Sequence, residues 1–427
     1  MSPNELSAGE ALHRMRTGQL TAQALIEACL ECIHTREPQL RAWVTLAGEQ
    51  AIAAARACDA QPRTGMLHGL PTGVKDVIDT AGLATEYGSP IYRGHRPQAD
   101  AACVALLRAE GGIVLGKTVT AEFATSFPGA TRNPWNPEHT PGGSSSGSAA
   151  AVAACMVPLA CGTQTSGSVI RPAAFCGVVG FKPTFGWLSR QGVKQVAESL
   201  DTLGSFGRTV ADAALMAAAM ARRPTLAEVV PAAPSGLTCV RSDAATEGQP
   251  EVWEAIETVL RRLSAVGVKV DRQELPSPCE QLASIHPQIE HFEAARALAF
   301  EHQTARADLS ERLRDRLDHG LAQPEAVYRD ALATAERCRQ SMARWFDVHS
   351  LIITPAATGE APKGLSTTGN AAFNRRWSLL GLPCITVPVM RGPKGLPVGV
   401  QLLAPWREES RLLAAAAFIE QQLAAQA

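Results

Sequence analysis

The sequence predicts an α/β fold: a large, mostly parallel mixed sheet flanked by helices on both faces. Short apolar runs bounded by glycine alternate with helix-period segments, the pattern of strands joined by covering helices. With 427 residues, the chain can bury a sizeable interior. Its 35 glycines and 28 prolines are scattered rather than banked in repeats, and 46% hydrophobic with 19% charged residues is ordinary globular usage. Collagen-like, disordered and disulfide-scaffold classes are thereby excluded.

Along the chain, Thr21 stands as N-cap before a helix to Arg36 whose apolar residues Leu25, Ile26, Cys29, Leu30 and Ile33 fall at helical spacing. A second helix is predicted from Gly48 to Cys58. Gly69 to Gly73 reads as a loop and Val74 to Ile78 as a short strand. A helix from Ala101 to Glu110 leads into a strand at Gly112 to Gly116. Residues 133–147 are too rich in Pro, Gly and Ser for regular structure. An Ala-rich helix from Gly147 to Cys155, a strand at Val157 to Ala160 and a Gly/Ser/Thr loop from Gly162 to Pro172 follow. Further helices are predicted at Ala211 to Arg222, Pro250 to Val266, Ile285 to His302 and Pro324 to His349. Strands return at Leu351 to Thr354, Cys384 to Val389 and Val398 to Leu403. No linker is long or polar enough to cut the chain, so residues 1–427 are expected to form one domain with a helix-rich region at about 280–350.

Lys+Arg at 40 against Asp+Glu at 41 gives a net charge of −1. A nucleic-acid binder normally carries a clustered basic surplus, so no nucleic-acid partner is expected. Met1 to Leu6 has neither a basic start nor an apolar run of signal type, and the long apolar stretch from Ala149 to Gly162 contains Pro158 and falls short of the ~20 residues that span a bilayer. A cytoplasmic location without membrane contact is expected. Eleven cysteines, mostly in apolar patterns, read as small reduced hydrophobes. Cys29 and Cys32 form a lone C-x-x-C with no second pair, and no H-E-x-x-H spacing occurs, so no metal is expected.

Three segments place Gly, Ser and a single Lys where strands meet loops: Gly73-Val74-Lys75-Asp76, Pro141 to Ser148, and Gly162 to Pro172. Each alone is most simply an ordinary turn. Together they supply what acyl chemistry requires. A serine hydroxyl attacks only if a base takes its proton, and a lysine is such a base only if burial leaves it neutral. Lys75 in an apolar strand is the candidate base. Thr165-Ser166-Gly167-Ser168 offers a nucleophile together with backbone N–H groups to hold an oxyanion. Ser145 competes as nucleophile through Gly143-Ser144-Ser145-Ser146-Gly147, a G-x-S-x-G match. That motif needs a strand immediately before it, and the preceding Pro134, Pro137 and Pro141 forbid a central strand. No P-loop or dinucleotide fingerprint is present.

The order and spacing of these segments resemble the amidase signature family. Gly73 to Asp76, Gly142 to Ser148 and Gly162 to Pro172 are similar to its lysine motif and two serine motifs. The likeness continues through Leu67 to Pro71, Phe175 to Thr184, Gly381 to Pro383 and Leu396 to Gln401. The resemblance implies that Lys75 is the base, Ser144 a relaying serine with a cis peptide bond, and Ser168 the nucleophile that forms an acyl-enzyme. It places the oxyanion hole at Thr165, Ser166 and Gly167 and implies no cofactor.

Gln164 and Ser166 depart from the usual Asp and Gly of that motif, and Arg171 lies one place further from Ser168 than usual. G-T-Q-T, S-V-I-R-P, His286-Pro287 and Phe292-Glu293-Ala294 resemble the malonamidase branch. That likeness implies a homodimer, and a substrate carboxylate bound by Arg171. Alternatively Arg171 pairs with a buried Asp or caps a helix. Ser166 raises the question of whether the turn calls for a positive φ that a side chain resists. The expected activity is hydrolysis of a small amide such as malonamate, with ammonia release. The alternatives are the glutaminase subunit of a tRNA-dependent amidotransferase and a catalytically silent binding protein. Ile285 to Arg296 and Phe373 to Trp377 are expected to line the pocket.

Overall fold

A computed structural model describes residues 2–125, 127–241 and 247–425. Its centre is one eleven-stranded sheet. In chain order the strands are β1 (Trp43–Leu46), β2 (Pro71–Lys75), β3 (Ile113–Thr118), β4 (Leu159–Gln164), β5 (Val179–Lys182), β6 (Thr202–Gly207), β7 (Gly236–Arg241), β8 (Lys269–Glu274), β9 (Ile352–Pro355), β10 (Cys384–Arg391) and β11 (Pro397–Leu403). Across the sheet they run β1-β3-β2-β4-β6-β5-β10-β11-β9-β7-β8. The expected large mixed sheet with helices against it is what forms. Its parallel pairings are confined to two blocks, β3-β2-β4 and β9-β7-β8, and the neighbours between and beside them pair antiparallel. The parallel share is therefore smaller than strand–helix alternation suggests, because β5, β6, β10 and β11 are linked without a crossover of the expected kind.

Both faces are covered, as residue alternation shows. Along β9, Ile353 packs with the helices Val210–Ala221, Pro250–Ala265 and Glu409–Ala424, whereas its neighbour Ile352 packs with Ile170–Cys176, Leu282–Ala297, Glu325–Phe346 and Arg375–Leu380. Ile385 and Cys384 of β10, and Leu402 and Leu403 of β11, divide in the same way. Successive strand side chains point to opposite faces, so a strand apolar at every position must be buried on both.

Several element limits differ from the sequence expectation for identifiable reasons. β2 begins at Pro71 and stops at Lys75, because the chain turns there: Ile78 N–H donates to the Lys75 carbonyl at 3.0 Å and Asp76 N–H to that of Thr118 at 3.0 Å. Lys75 consequently sits at the strand's carboxyl end, where open α/β sheets place ligands. β4 runs on to Gln164, shortening the predicted loop, and the helix Ile170–Cys176 follows at once. The helix predicted from Ile285 to His302 starts at Leu282 and breaks at Leu298. β6, with sequence TLGSFG, is legible only in the structure, since glycine is depleted in strands generally. β8 is a charged, exposed edge strand, which protects that edge from further pairing.

Helix Ser146–Ala153 lies directly over the end of β3. A Cβ on Gly147 would collide with the Ala42 carbonyl oxygen and the Val119 nitrogen, and Gly147 N–H donates to the Val119 carbonyl at 3.0 Å. Backbone cannot give way cheaply, so Gly147→Ala should cost about 1–3 kcal/mol. Chemical denaturation measures it, and an unchanged midpoint would show that the helix is free to slide.

Candidate active site

The parallel block β3-β2-β4 brings the three motif segments to one end of the sheet. Lys75 ends β2, and its side chain is wholly buried. Its Nζ lies 2.8 Å from Ser144 Oγ, 2.7 Å from Thr163 Oγ1 and 3.4 Å from the Thr163 carbonyl oxygen. No carboxylate pairs with it among the described residues. Burial pushes the Lys75 amine down to about 7, against the opposing field of Asp201. A neutral amine has two N–H groups and one lone pair, so it can accept the Ser144 proton while still donating to Thr163.

Ser144 follows a cis Gly143–Ser144 peptide bond. The carbonyl of Gly143 accepts a hydrogen bond from Arg171 Nη2 at 2.7 Å. Arg171 also donates from Nε to the Thr368 carbonyl at 2.7 Å and from Nη2 to Thr368 Oγ1 at 3.2 Å. It neither pairs with a buried Asp nor caps a helix; it ties the Ser144 segment to the 360s loop. Its Nη1 makes no hydrogen bond among the described residues. Burial, and then the neighbouring charge of Arg375, push its guanidinium below the ordinary value.

Ser168 lies four residues beyond the end of β4. Its hydroxyl makes no hydrogen bond among the described residues, and neither do the backbone N–H groups of Ser166, Gly167 and Ser168. The loop is held from outside. Gln164 Oε1 accepts the N–H groups of Val169 and Ile170 at 2.8 and 3.0 Å, the acceptor role an Asp would fill. Gln164 Nε2 donates to Ser378 Oγ at 3.0 Å, which in turn donates to the Ser166 carbonyl at 2.6 Å. Thr165 Oγ1 donates to Asp201 at 2.5 Å, and Asp201 is fixed by the N–H groups of Val196 and Ala197. Ser166 is not among the residues with positive φ, so its side chain meets no backbone obstacle. Its hydroxyl donates to Glu290 at 3.4 Å.

Ser145 is occupied elsewhere: its Oγ donates to the Thr163 carbonyl at 3.1 Å and accepts the Thr163 N–H at 3.3 Å, and it precedes a helix without following a strand. Both segments expected at the pocket reach the loop. His286 Nε2 lies 3.3 Å from the Thr165 carbonyl, and Asn374 packs so closely that a Cβ on Gly167 would stand 2.5 Å from its Oδ1. Glu290 falls within the expected Ile285 to Arg296 segment, whereas Thr163, Asp201, Thr368 and Ser378 escaped sequence reasoning because little local distinguishes them. Thr163, inside the β4 motif and two residues along from buried Cys161, carried the most signal. Cys29 is buried, which pushes its thiol up to about 12, and Cys32 donates to the Ala154 carbonyl at 3.4 Å; both pack as helix core.

The Lys75 shift has a measurable consequence. Below about pH 7 the amine is protonated in both folded and unfolded chains, and burying that charge costs stability. As pH rises toward the ordinary value of 10.5, the unfolded chain holds a proton that the folded one lacks. Stability then rises with pH at up to about 1.4 kcal/mol per unit from this group. Lys75→Met should therefore melt above the wild type at pH 7, and the advantage should shrink by pH 10. Thermal melts at the two pH values check this; a gap independent of pH would place the lysine in a hydrated environment.

The family described as Amidase matches residues 24–413 of the chain. A glutamyl-tRNA(Gln) amidotransferase subunit from Synechococcus sp. (strain RCC307) is 34% identical over 461 aligned positions, covering 95% of each chain. The 2-amino-5-chloromuconic acid deaminase of Comamonas testosteroni is 34% identical over 455, covering 98% of this chain and 96% of the relative. The crystal structure of an amidase superposes with a TM-score of 0.89 at 29% identity, covering 98% and 100% of the two chains. These relatives correct the expectation of a homodimer acting on a small molecule with no nucleic acid: the glutamyl-tRNA(Gln) amidotransferase relatives are each one component of a larger enzyme named for a tRNA. A net charge near zero sums a whole surface, and says nothing of what neighbouring components contact. Among the described residues no helix is long and apolar enough to cross a membrane. With the match running from residue 24 to residue 413 across the sheet and the three motif segments, this chain is an amidohydrolase of the amidase signature family.

Proposed function

We propose that the chain cleaves a carboxamide C–N bond through Ser168, Ser144 and Lys75, and that residues 1–427 act as one catalytic unit. The observation that carries this is the 2.8 Å contact between a wholly buried, carboxylate-free Lys75 amine and Ser144. Ser168 Oγ attacks the amide carbon, passing its proton to Ser144 as Ser144 passes its own to Lys75. The negative oxygen of the tetrahedral intermediate is met by backbone N–H groups of Thr165, Ser166 and Gly167. Collapse returns a proton from Lys75 through Ser144 to the nitrogen, so ammonia departs and an ester forms on Ser168. Water then enters with Ser144 and Lys75 as base and releases the acid.

The relatives that are components of glutamyl-tRNA(Gln) amidotransferases favour glutamine as the amide and a larger assembly as the setting. A second reading, a freestanding amidase for a carboxylate-bearing amide such as malonamate, is supported by the uncommitted Nη1 of Arg171 beside the Ser144 segment. Ammonia release from glutamine by the purified protein, measured by itself and with candidate partner proteins, separates them. Activity that appears only in a complex supports the amidotransferase component.

Two outcomes are expected of either reading. Ser168→Ala and Lys75→Ala should each lower kcat at least about 1,000-fold, in line with losses at other nucleophile and base positions; wild-type-like turnover in either sinks the triad. Because Lys75 must be neutral to work and is held near about 7, kcat/KM should rise with pH through a midpoint near 7 and level off above it. A profile flat from pH 5 to 9 would mean that another group is the base.

A further inference from the structure

We propose that Arg375 is a specificity residue, the cation that binds a free carboxylate on the acyl portion of the substrate. The proposal rests on the amide-hydrolysis reading of the site and names the substrate class within it: short-chain amides with a second, ionised carboxyl group, including dicarboxylic acid monoamides and glutamine.

Arg171 lies closer in sequence to the nucleophile, but its hydrogen-bonding capacity is largely committed. A carboxylate is gripped best by two parallel N–H groups of one guanidinium. The Nε and Nη2 edge of Arg171 is taken by the Thr368 and Gly143 carbonyls and Thr368 Oγ1. Only Nη1 remains, enough for one auxiliary contact.

Arg375 is differently placed. It opens the short helix Arg375–Leu380, and Ser378 lies one turn on along the same face. Ser378 Oγ donates to the Ser166 carbonyl at 2.6 Å, and the preceding Asn374 packs on Gly167. That face is therefore laid against the loop that carries Ser168. Arg375 is half-buried, and its side chain makes no hydrogen bond or ion pair among the described residues. The nearby carboxylate, Glu290, is already held by Arg316 at 2.6 Å and accepts from Ser166. The charge of Arg375 is nonetheless felt at Arg171, His286 and Glu290, which places it among the groups around the loop. A half-buried guanidinium whose nearby carboxylate is bonded to another arginine, and which stands beside a second cation, is an arrangement that a bound carboxylate would relieve.

The test compares succinamate and glutamine with butyramide, a neutral amide of the same length as succinamate, on the full chain. Arg375→Gln should raise KM for the two carboxylate substrates, and the loss in kcat/KM should exceed that on butyramide by about 10- to 100-fold, as for a hydrogen bond to a charged group. Arg375→Lys should recover part of the difference. Equal losses on all three substrates would overturn the proposal in favour of a structural role, and so would an unchanged KM. Calorimetry of succinate and glutamate binding to Ser168→Ala, with and without Arg375→Gln, reads the same contact without turnover. If the chain by itself hydrolyses none of the amides, as a component active only in its complex would behave, these titrations still decide Arg375: affinity lost with the guanidinium upholds it, and affinity unchanged or absent overturns it.

Discussion

The structure depends on holding one amine out of water with no negative charge to pair it. Lys75 is fully buried between two parallel neighbours, β3 and β4, and meets only hydroxyl and carbonyl oxygens. An isolated ammonium in such a place is expensive, and the cheaper state is the neutral amine. Asp201 opposes that state, since its field favours the charged form. Its carboxylate is instead saturated by Thr165 and by the N–H groups of Val196 and Ala197. The same bonds that occupy Asp201 anchor the loop leading to Ser168, so electrostatic tuning of Lys75 and placement of Ser168 share residues.

A second buried lysine shows what the first avoids. Lys117, on β3, lies 3.8 Å from Asp76 and donates to the Ile78 carbonyl, to Thr80 at 3.1 Å and to Thr85 at 2.8 Å. These partners pin the turn that ends β2 immediately after Lys75. One lysine is thus given a carboxylate and used to fix backbone, while the other, adjacent to that same Asp76 in sequence, is pointed the opposite way across the sheet. Lys75 and Asp76 read as one G-V-K-D motif, but strand alternation and the turn separate their tasks.

Much of the candidate site was legible in the sequence because its signals are local. Lys75 within an apolar run, and Gly-rich segments around Ser144 and Ser168, carry their meaning within a few residues. The N-capped helix after Thr21 and the helix from Pro250 were equally plain, since periodicity and caps are local as well. What was not legible depends on distant contacts. Nothing near Thr368 announces that it receives Arg171, and Arg375 in Phe373-Asn374-Arg375-Arg376-Trp377 looks no different from Arg376, which is wholly buried. β6 was obscured by its two glycines, of which Gly204 lets the Phe181 carbonyl and Val169 come close and Gly207 lets Asp212 and Ala213 do so. The parallel share was overestimated because alternation of strand and helix shows that crossovers exist without showing which strands they join.

The division between the two faces of the sheet bears on how substrate choice can change while the chemistry persists. The groups to which the proposed reading assigns the chemistry sit at strand ends and in loops fixed by backbone: Lys75 at the end of β2, Ser144 bonded to Lys75, and Ser168 after β4. The helices Leu282–Ala297 and Arg375–Leu380, on one face only, touch the loop that carries Ser168 through His286, Glu290, Asn374 and Ser378, and on the proposed reading they face the acyl portion. These helices share a hydrophobic cluster with Glu325–Phe346 but contribute no strand to the sheet. On that reading a substitution on them would alter what the pocket accepts at the cost of one helix contact, whereas a substitution in the strands would disturb both neighbours and the burial of Lys75. Relatives of about one-third identity named for a tRNA amidotransferase and for a chloromuconate deaminase fit that asymmetry, since related chains carry names for quite different substrates.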